Sequence, residues 1–77
     1  MISTIGRLAS KFNLSRSTLR YYDSIGVLSP IKRGKGNYRI YSEDDCNRLE
    51  QIASYRQTGL SLQRIKEILD NKNALLQ

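Results

Sequence analysis

Histidine is absent from this 77-residue sequence, and cysteine and proline each occur once. With no His and a lone Cys46, the roughly four Cys or His ligands of a structural zinc site cannot be assembled, and no internal disulfide can form. The same absences remove the usual nucleophile and base pairs of covalent catalysis. Gly34-Lys35-Gly36 also lacks the length and the Lys-Ser/Thr ending of a phosphate-binding loop. Neither an enzyme nor a bound cofactor is expected. No apolar run approaches the about 20 residues that cross a bilayer. The N-terminus lacks the basic-then-apolar order of a signal peptide, so the expectation is a cytoplasmic protein with no membrane partner.

Acidic residues are scarce in one half only. The chain has 13 basic and seven acidic residues, a net charge of +6. From Met1 to Tyr41, eight basic residues (Arg7, Lys11, Arg16, Arg20, Lys32, Arg33, Lys35 and Arg39) face Asp23 alone, a net +7. From Ser42 to Gln77, five basic residues face six acidic ones, a net −1. A concentrated positive half favours a polyanionic partner, because it speeds encounter and exchanges bound counterions for Lys and Arg. The length implies one domain with a thin core, since so short a chain buries only about 60% of the surface its unfolded form exposes.

Ile5, Leu8, Ala9 and Phe12 recur at i, i+3, i+4 and i+7, one face of a helix opened by Ser3 or Thr4. Asn13 and Leu14 make a short turn, and Ser15 is a good N-cap for a second helix. Two helices joined this tightly form a helix-turn-helix. At about 100° per residue, Arg16, Ser17, Arg20 and Tyr21 share one arc of the second helix, while Leu19 and Tyr22 lie opposite. The polar arc suits a groove and the apolar one a core. Ile25 to Leu28 closes the motif, and Pro30 disfavours helix in the residue before it.

Ile31-Lys32-Arg33 and Tyr38-Arg39-Ile40-Tyr41 flank Gly34-Lys35-Gly36-Asn37, whose residues tolerate positive φ, so a hairpin with a four-residue loop is expected. In the simplest register Ile31 opposes Ile40, with the apolar pair facing the core, and Lys32 opposes Arg39. Like charges directly across a ladder repel, which suits a face that meets an anion such as a backbone phosphate. A short basic and aromatic helix beside a basic hairpin is how a winged helix-turn-helix domain grips duplex DNA.

Ser42 and Asp45 have the spacing of a capping box, and Glu43, Asp44 and Asp45 complement the positive end of a helix dipole, so this acidic cluster reads as a helix start. Cys46, Leu49, Ile52 and Ala53 form the inward stripe of a third helix, with Cys46 a small core residue. Gly59 ends that helix as a left-handed C-cap residue. Ser61 caps a fourth, with Leu62, Ile65, Ile68 and Leu69 inward as far as Asp70 or Asn71.

Four segments now stand in order: Ile5-Gly6-Arg7-Leu8-Ala9, Ser15 to Asp23 with Ile25-Gly26-Val27-Leu28, Tyr38-Arg39-Ile40-Tyr41-Ser42, and Arg56-Gln57-Thr58-Gly59-Leu60-Ser61-Leu62. In content and spacing they resemble the N-terminal DNA-binding domain of the MerR family of bacterial transcription regulators, over nearly the whole chain. One departure is Asn37, where the family typically has glycine. The resemblance implies a mainly α fold with a small β-hairpin wing, a winged helix-turn-helix. It also implies that the second helix enters the major groove, with Arg16 and Tyr21 or Tyr22 contacting bases or phosphates. Tyr22 has a second reading, in which its ring packs in the core and only its hydroxyl meets DNA. Arg39 would reach the backbone or the minor groove, and Tyr38 and Arg56 would support it on phosphates. With the residues read from helix and hairpin, the candidate DNA-binding set is Ser15, Arg16, Ser17, Arg20, Tyr21, Tyr22, Lys32, Lys35, Tyr38, Arg39 and Arg56.

Family members continue into a long helix that pairs antiparallel with its twin, followed by an effector-sensing region. The expected division is therefore a DNA-binding domain over residues 1–71 and the start of a linker and dimerisation helix over 72–77. Only Ala74, Leu75 and Leu76 begin that helix, so homodimerisation is expected only with the longer helix, and RNA polymerase as a partner only in the full-length context. The expected function is sequence-specific binding to a pseudo-palindromic operator or promoter in double-stranded DNA, as an excised domain or a small stand-alone relative. Two alternatives remain: an excisionase-like architectural protein binding several adjacent DNA sites, and an adaptor whose basic face meets an acidic protein.

Overall fold

Thr4 belongs to two elements at once. With Ser3 it forms strand β1 (Ser3–Thr4), and its hydroxyl accepts the Arg7 N–H as the N-cap of helix α1 (Ile5–Phe12). A computed structural model describes residues 2–35 and 38–75 of the chain, with side chains described as far as Asn71. Gly36 and Asn37 of the expected hairpin tip, Leu76 and Gln77, and the side chains of Ala74 and Leu75 lie outside the described residues.

The order continues with α2 (Arg16–Ser24), β2 (Lys32–Arg33), β3 (Arg39–Tyr41), α3 (Glu43–Gln57) and α4 (Leu62–Leu75). This is the expected mainly α architecture with a wing. Asn13 takes a left-handed conformation at the end of α1, and its N–H returns to the α1 carbonyls. The Ser15 hydroxyl accepts the Thr18 N–H at 3.0 Å and starts α2 within two residues. Ser42 and Asp45 form a complete capping box. At the other end of α3, Gly59 holds φ +90, the conformation that stops the helix and that side chains resist. Ser61 accepts the Arg64 N–H as the cap of α4.

The core gathers Ile5, Leu8 and Ala9 of α1, Leu19 and Tyr22 of α2, Val27 and Leu28 after it, Tyr41 of β3, Leu49 and Ile52 of α3, and Ile65 and Leu69 of α4. The helical periodicities are thus realised in all four helices. Cys46 is half-buried at the edge of this cluster. Arg48 of α3 ties the layers together: its Nε donates to the Val27 carbonyl at 2.7 Å and its Nη2 to Asp70 of α4 at 2.9 Å.

Two expectations about the sheet are corrected. The hairpin is part of a three-stranded antiparallel sheet in the order β1-β3-β2, so β3 is the central strand. A two-residue strand leaves no alternation to read, and Ser3–Thr4 carries an equally good helix-cap signal. The register is also shifted by one: Lys32 pairs with Ile40 and Arg33 with Arg39. Pairing runs one step further towards the tip, where the Gly34 N–H donates to the Tyr38 carbonyl. Ile31, expected in the core, lies just before β2 and is exposed, while Tyr41 of β3 is buried in the core.

Candidate nucleic-acid interface

The outer face of α2 carries Arg16, Ser17, Arg20 and Tyr21, all exposed, while Leu19 and Tyr22 turn inward. This follows from placing apolar side chains on one side of a nine-residue helix whose start Ser15 fixes. Ser15 is exposed, and its hydroxyl is occupied by the cap and by Thr18 Oγ1 at 2.8 Å. Arg20 Nη2 reaches Ser17 Oγ at 3.5 Å, a weak contact that leaves the guanidinium on the surface. Arg16 lies back across α1 at Gly6, where a β-carbon would come within 2.8 Å of Arg16 Nη2.

On the wing, Lys32, Lys35 and Tyr38 are exposed, with the Tyr38 ring lying against Gly34. Helix and wing are joined by one carboxylate. Asp23, near the end of α2, receives Arg33 Nη2 at 2.6 and 2.8 Å on its two oxygens and Arg39 Nε at 3.1 Å. Its side chain is 7% exposed, that of Arg39 is 13% exposed, and that of Arg33 is 58% exposed. Burial pushes the Asp23 carboxyl up, but the hydrogen bonds and charges of Arg33 and Arg39 outweigh it and hold it below its ordinary value.

The three remaining candidates are Arg39, Tyr22 and Arg56. Arg39, read as a cation offered to the nucleic-acid backbone, is drawn inward to Asp23, since it lies two residues from the buried Tyr41 on β3 and shares its face. The Tyr22 ring is in the core at 7% exposed, as the helical wheel indicated for that face. Arg56 is exposed at the corner between α3 and α4, and its Nη1 is engaged with the Leu60 carbonyl at 3.0 Å. Conversely, Arg33 was passed over in sequence. The signal lay in the register, since only pairing with Arg39 brings both arginines to Asp23. Lys32, Arg33, Lys35 and Tyr38 on the wing and Arg16, Ser17, Arg20 and Tyr21 on α2 are the groups that face solvent.

Such a surface offers guanidinium and ammonium donors to phosphate oxygens, planar guanidinium forks to guanine edges, and phenol rings to sugars and bases. Among the described residues no group of His, Cys, Asp and Glu is placed to hold a metal ion, and no helix is long and apolar enough to cross a membrane.

Comparison with known proteins places this surface in context. Residues 3–72 match the family model described as "MerR HTH family regulatory protein". The chain is 40% identical over 73 residues to an HTH-type transcriptional regulator, the ZntR homolog of Haemophilus influenzae, covering 95% of this chain and 54% of that protein. Its fold is similar to the N-terminus of Mta, the Bacillus subtilis multidrug transporter activator, with a TM-score of 0.81 and 37% identity over 88% of this chain and 64% of that one. It is also similar to HiNmlR, a MerR family regulator lacking the sensor domain and solved bound to promoter DNA, with a TM-score of 0.79 and 30% identity over 96% of this chain and 56% of that one. The chain thus spans about half the length of the ZntR homolog.

Proposed function

The chain belongs to the MerR HTH family of regulatory proteins, and on that premise we propose that it binds double-stranded DNA sequence-specifically in the control of transcription. The observation that carries this reading is the solvent-facing set on α2 and the wing, five cations and two tyrosines among them, in the half of the chain with a net +7. The promoter-bound state of HiNmlR, a relative of the same fold, supports it. In this reading α2 lies in the major groove, Arg16 and Arg20 meet base edges or phosphates, and Lys32, Arg33 and Lys35 hold the flanking backbone. Such a protein acts in the cytoplasm and has no catalytic task. The end of α4, as far as Leu75, is read as the start of a linker and dimerisation helix, and a second copy and RNA polymerase are partners of the whole protein. The excisionase-like alternative gains no support from the relatives named above, each described as a regulator or an activator.

The test is selection of duplexes from a random pool by the purified chain, followed by titration of two variants. Arg16→Ala should cost about 1–3 kcal/mol, concentrated at one base position. Lys32→Ala should weaken all duplexes alike and lower the salt slope by about 1. Failure to enrich any sequence, with no duplex binding at low salt, would contradict the reading and favour an adaptor for an acidic protein.

A further inference from the structure

We infer that Asp23 is a positioning residue that fixes the wing against α2, and that discrimination between duplex sequences depends on this clamp; the inference rests on the reading that these two elements meet DNA. Asp23 is the sole carboxylate between Met1 and Tyr41. On electrostatic grounds alone it weakens attraction to a polyanion. Its geometry shows what it does instead. Both oxygens are engaged, one arginine comes from each arm of the wing, and the carboxylate is nearly closed off from solvent.

The two arginines are direct cross-strand partners, and like charges so placed repel unless an anion stands between them. The β2 arm is only two residues long and forms an edge of the sheet, held by few ladder bonds. The Asp23 carboxylate supplies an attachment that these few ladder bonds do not. The clamp has an inner and an outer member. Arg39 is enclosed and serves to hold. Arg33 uses Nη2 towards Asp23, and more than half of its side chain faces solvent, where it can meet a phosphate while still tethered.

Phosphate contacts set the register in which base contacts are made. If the clamp is lost, α2 and the wing each keep their cations but no longer hold a fixed spacing. Non-specific attraction then survives, and even gains one charge, while discrimination declines. Simple charge removal predicts the opposite pattern, tighter binding to every duplex in proportion.

The experiment uses the 77-residue chain, a duplex it has selected from a random pool, and an unrelated duplex of equal length, each titrated over a series of salt concentrations. For Asp23→Asn the ratio of selected to unrelated affinity should fall about tenfold or more, with a salt slope at least as steep as the parent's and unchanged far-UV circular dichroism. Asp23→Glu should recover part of the ratio. Arg39→Gln provides a second readout: the ratio should fall with the salt slope unchanged, because an enclosed Arg39 neutralises no phosphate. An Asp23→Asn or Arg39→Gln variant that keeps the parent ratio, or loses affinity for both duplexes in proportion, overturns the inference. Loss of helicity in both variants overturns it too, since the clamp would then serve the fold and not the spacing. Failure of the parent to bind any duplex would be seen before a variant is made, and would instead sink the DNA reading on which the clamp's role rests.

Discussion

A β-carbon on Gly6 would stand 2.8 Å from Nη2 of Arg16. The glycine of the first helix thus leaves room for the arginine that begins the second, and the closest obstruction is the mobile end of a side chain, not backbone. Gly6→Ala should leave the fold intact or raise its stability by up to about 1 kcal/mol, since alanine is the better helix former. It should also turn Arg16 away from α1 and alter the preference at the base that Arg16 contacts. Thermal unfolding and a titration against single-base variants of a selected duplex check both halves. Gly6→Ala with an unchanged base preference would show that Arg16 acts independently of its bed on α1.

Arg48 connects the loop after α2 with α3 and α4 through the Val27 carbonyl and Asp70. Replacing it by methionine keeps much of the packing but removes two hydrogen bonds made by a charged group, for an expected loss of about 2–4 kcal/mol. Urea denaturation measures this directly. A loss below about 0.5 kcal/mol would place the pair among surface ion pairs that contribute little.

Tyr41 is fully buried, and among the described residues no protein atom partners its hydroxyl. Burial pushes its ionisation above the ordinary tyrosine value, despite the nearby Arg39 charge. Tyr41→Phe removes the unpartnered oxygen and keeps the ring. It should be neutral or stabilising by up to about 1–2 kcal/mol. Denaturation midpoints decide the point, and a destabilisation above about 1 kcal/mol would mean that the hydroxyl is hydrogen-bonded in solution.

Acid should act through Asp23. Its folded value lies below the ordinary 3.8, so the native state holds fewer protons than the unfolded one in that region. The associated stability is fully present above the unfolded value, about 3.9, and is lost as pH falls through the folded one. Chemical denaturation should therefore show stability nearly flat from neutrality to about pH 5 and declining below about pH 4, with Asp23→Asn reducing the decline. An equal decline in the variant would assign the acid sensitivity to other carboxylates, Asp70 beside Arg48 and Lys66 foremost.

The helices were legible in the sequence because each carries several apolar residues at helical spacing and a polar side chain at its cap. Ser15, Ser42 and Asp45 act as their spacing indicates, and Leu19 and Tyr22 turn inward as the wheel requires. The sheet was less legible. Ser3 and Thr4 are too few to show alternation, so β1 left no strand signal to read. Short basic strands also carry too little apolar content to set their own register. In this hairpin the register brings two arginines to Asp23, a partner ten and sixteen residues away that no local pattern encodes.

Amide chemical-shift mapping of the isotopically labelled chain during addition of a selected duplex locates the contact surface most directly. Perturbations should concentrate on Arg16–Tyr21 of α2 and on Lys32–Lys35 and Tyr38 of the wing, and should diminish as salt is raised. Perturbations centred on the acidic start of α3 or the outer side of α4, with α2 and the wing unmoved, would contradict the proposed interface.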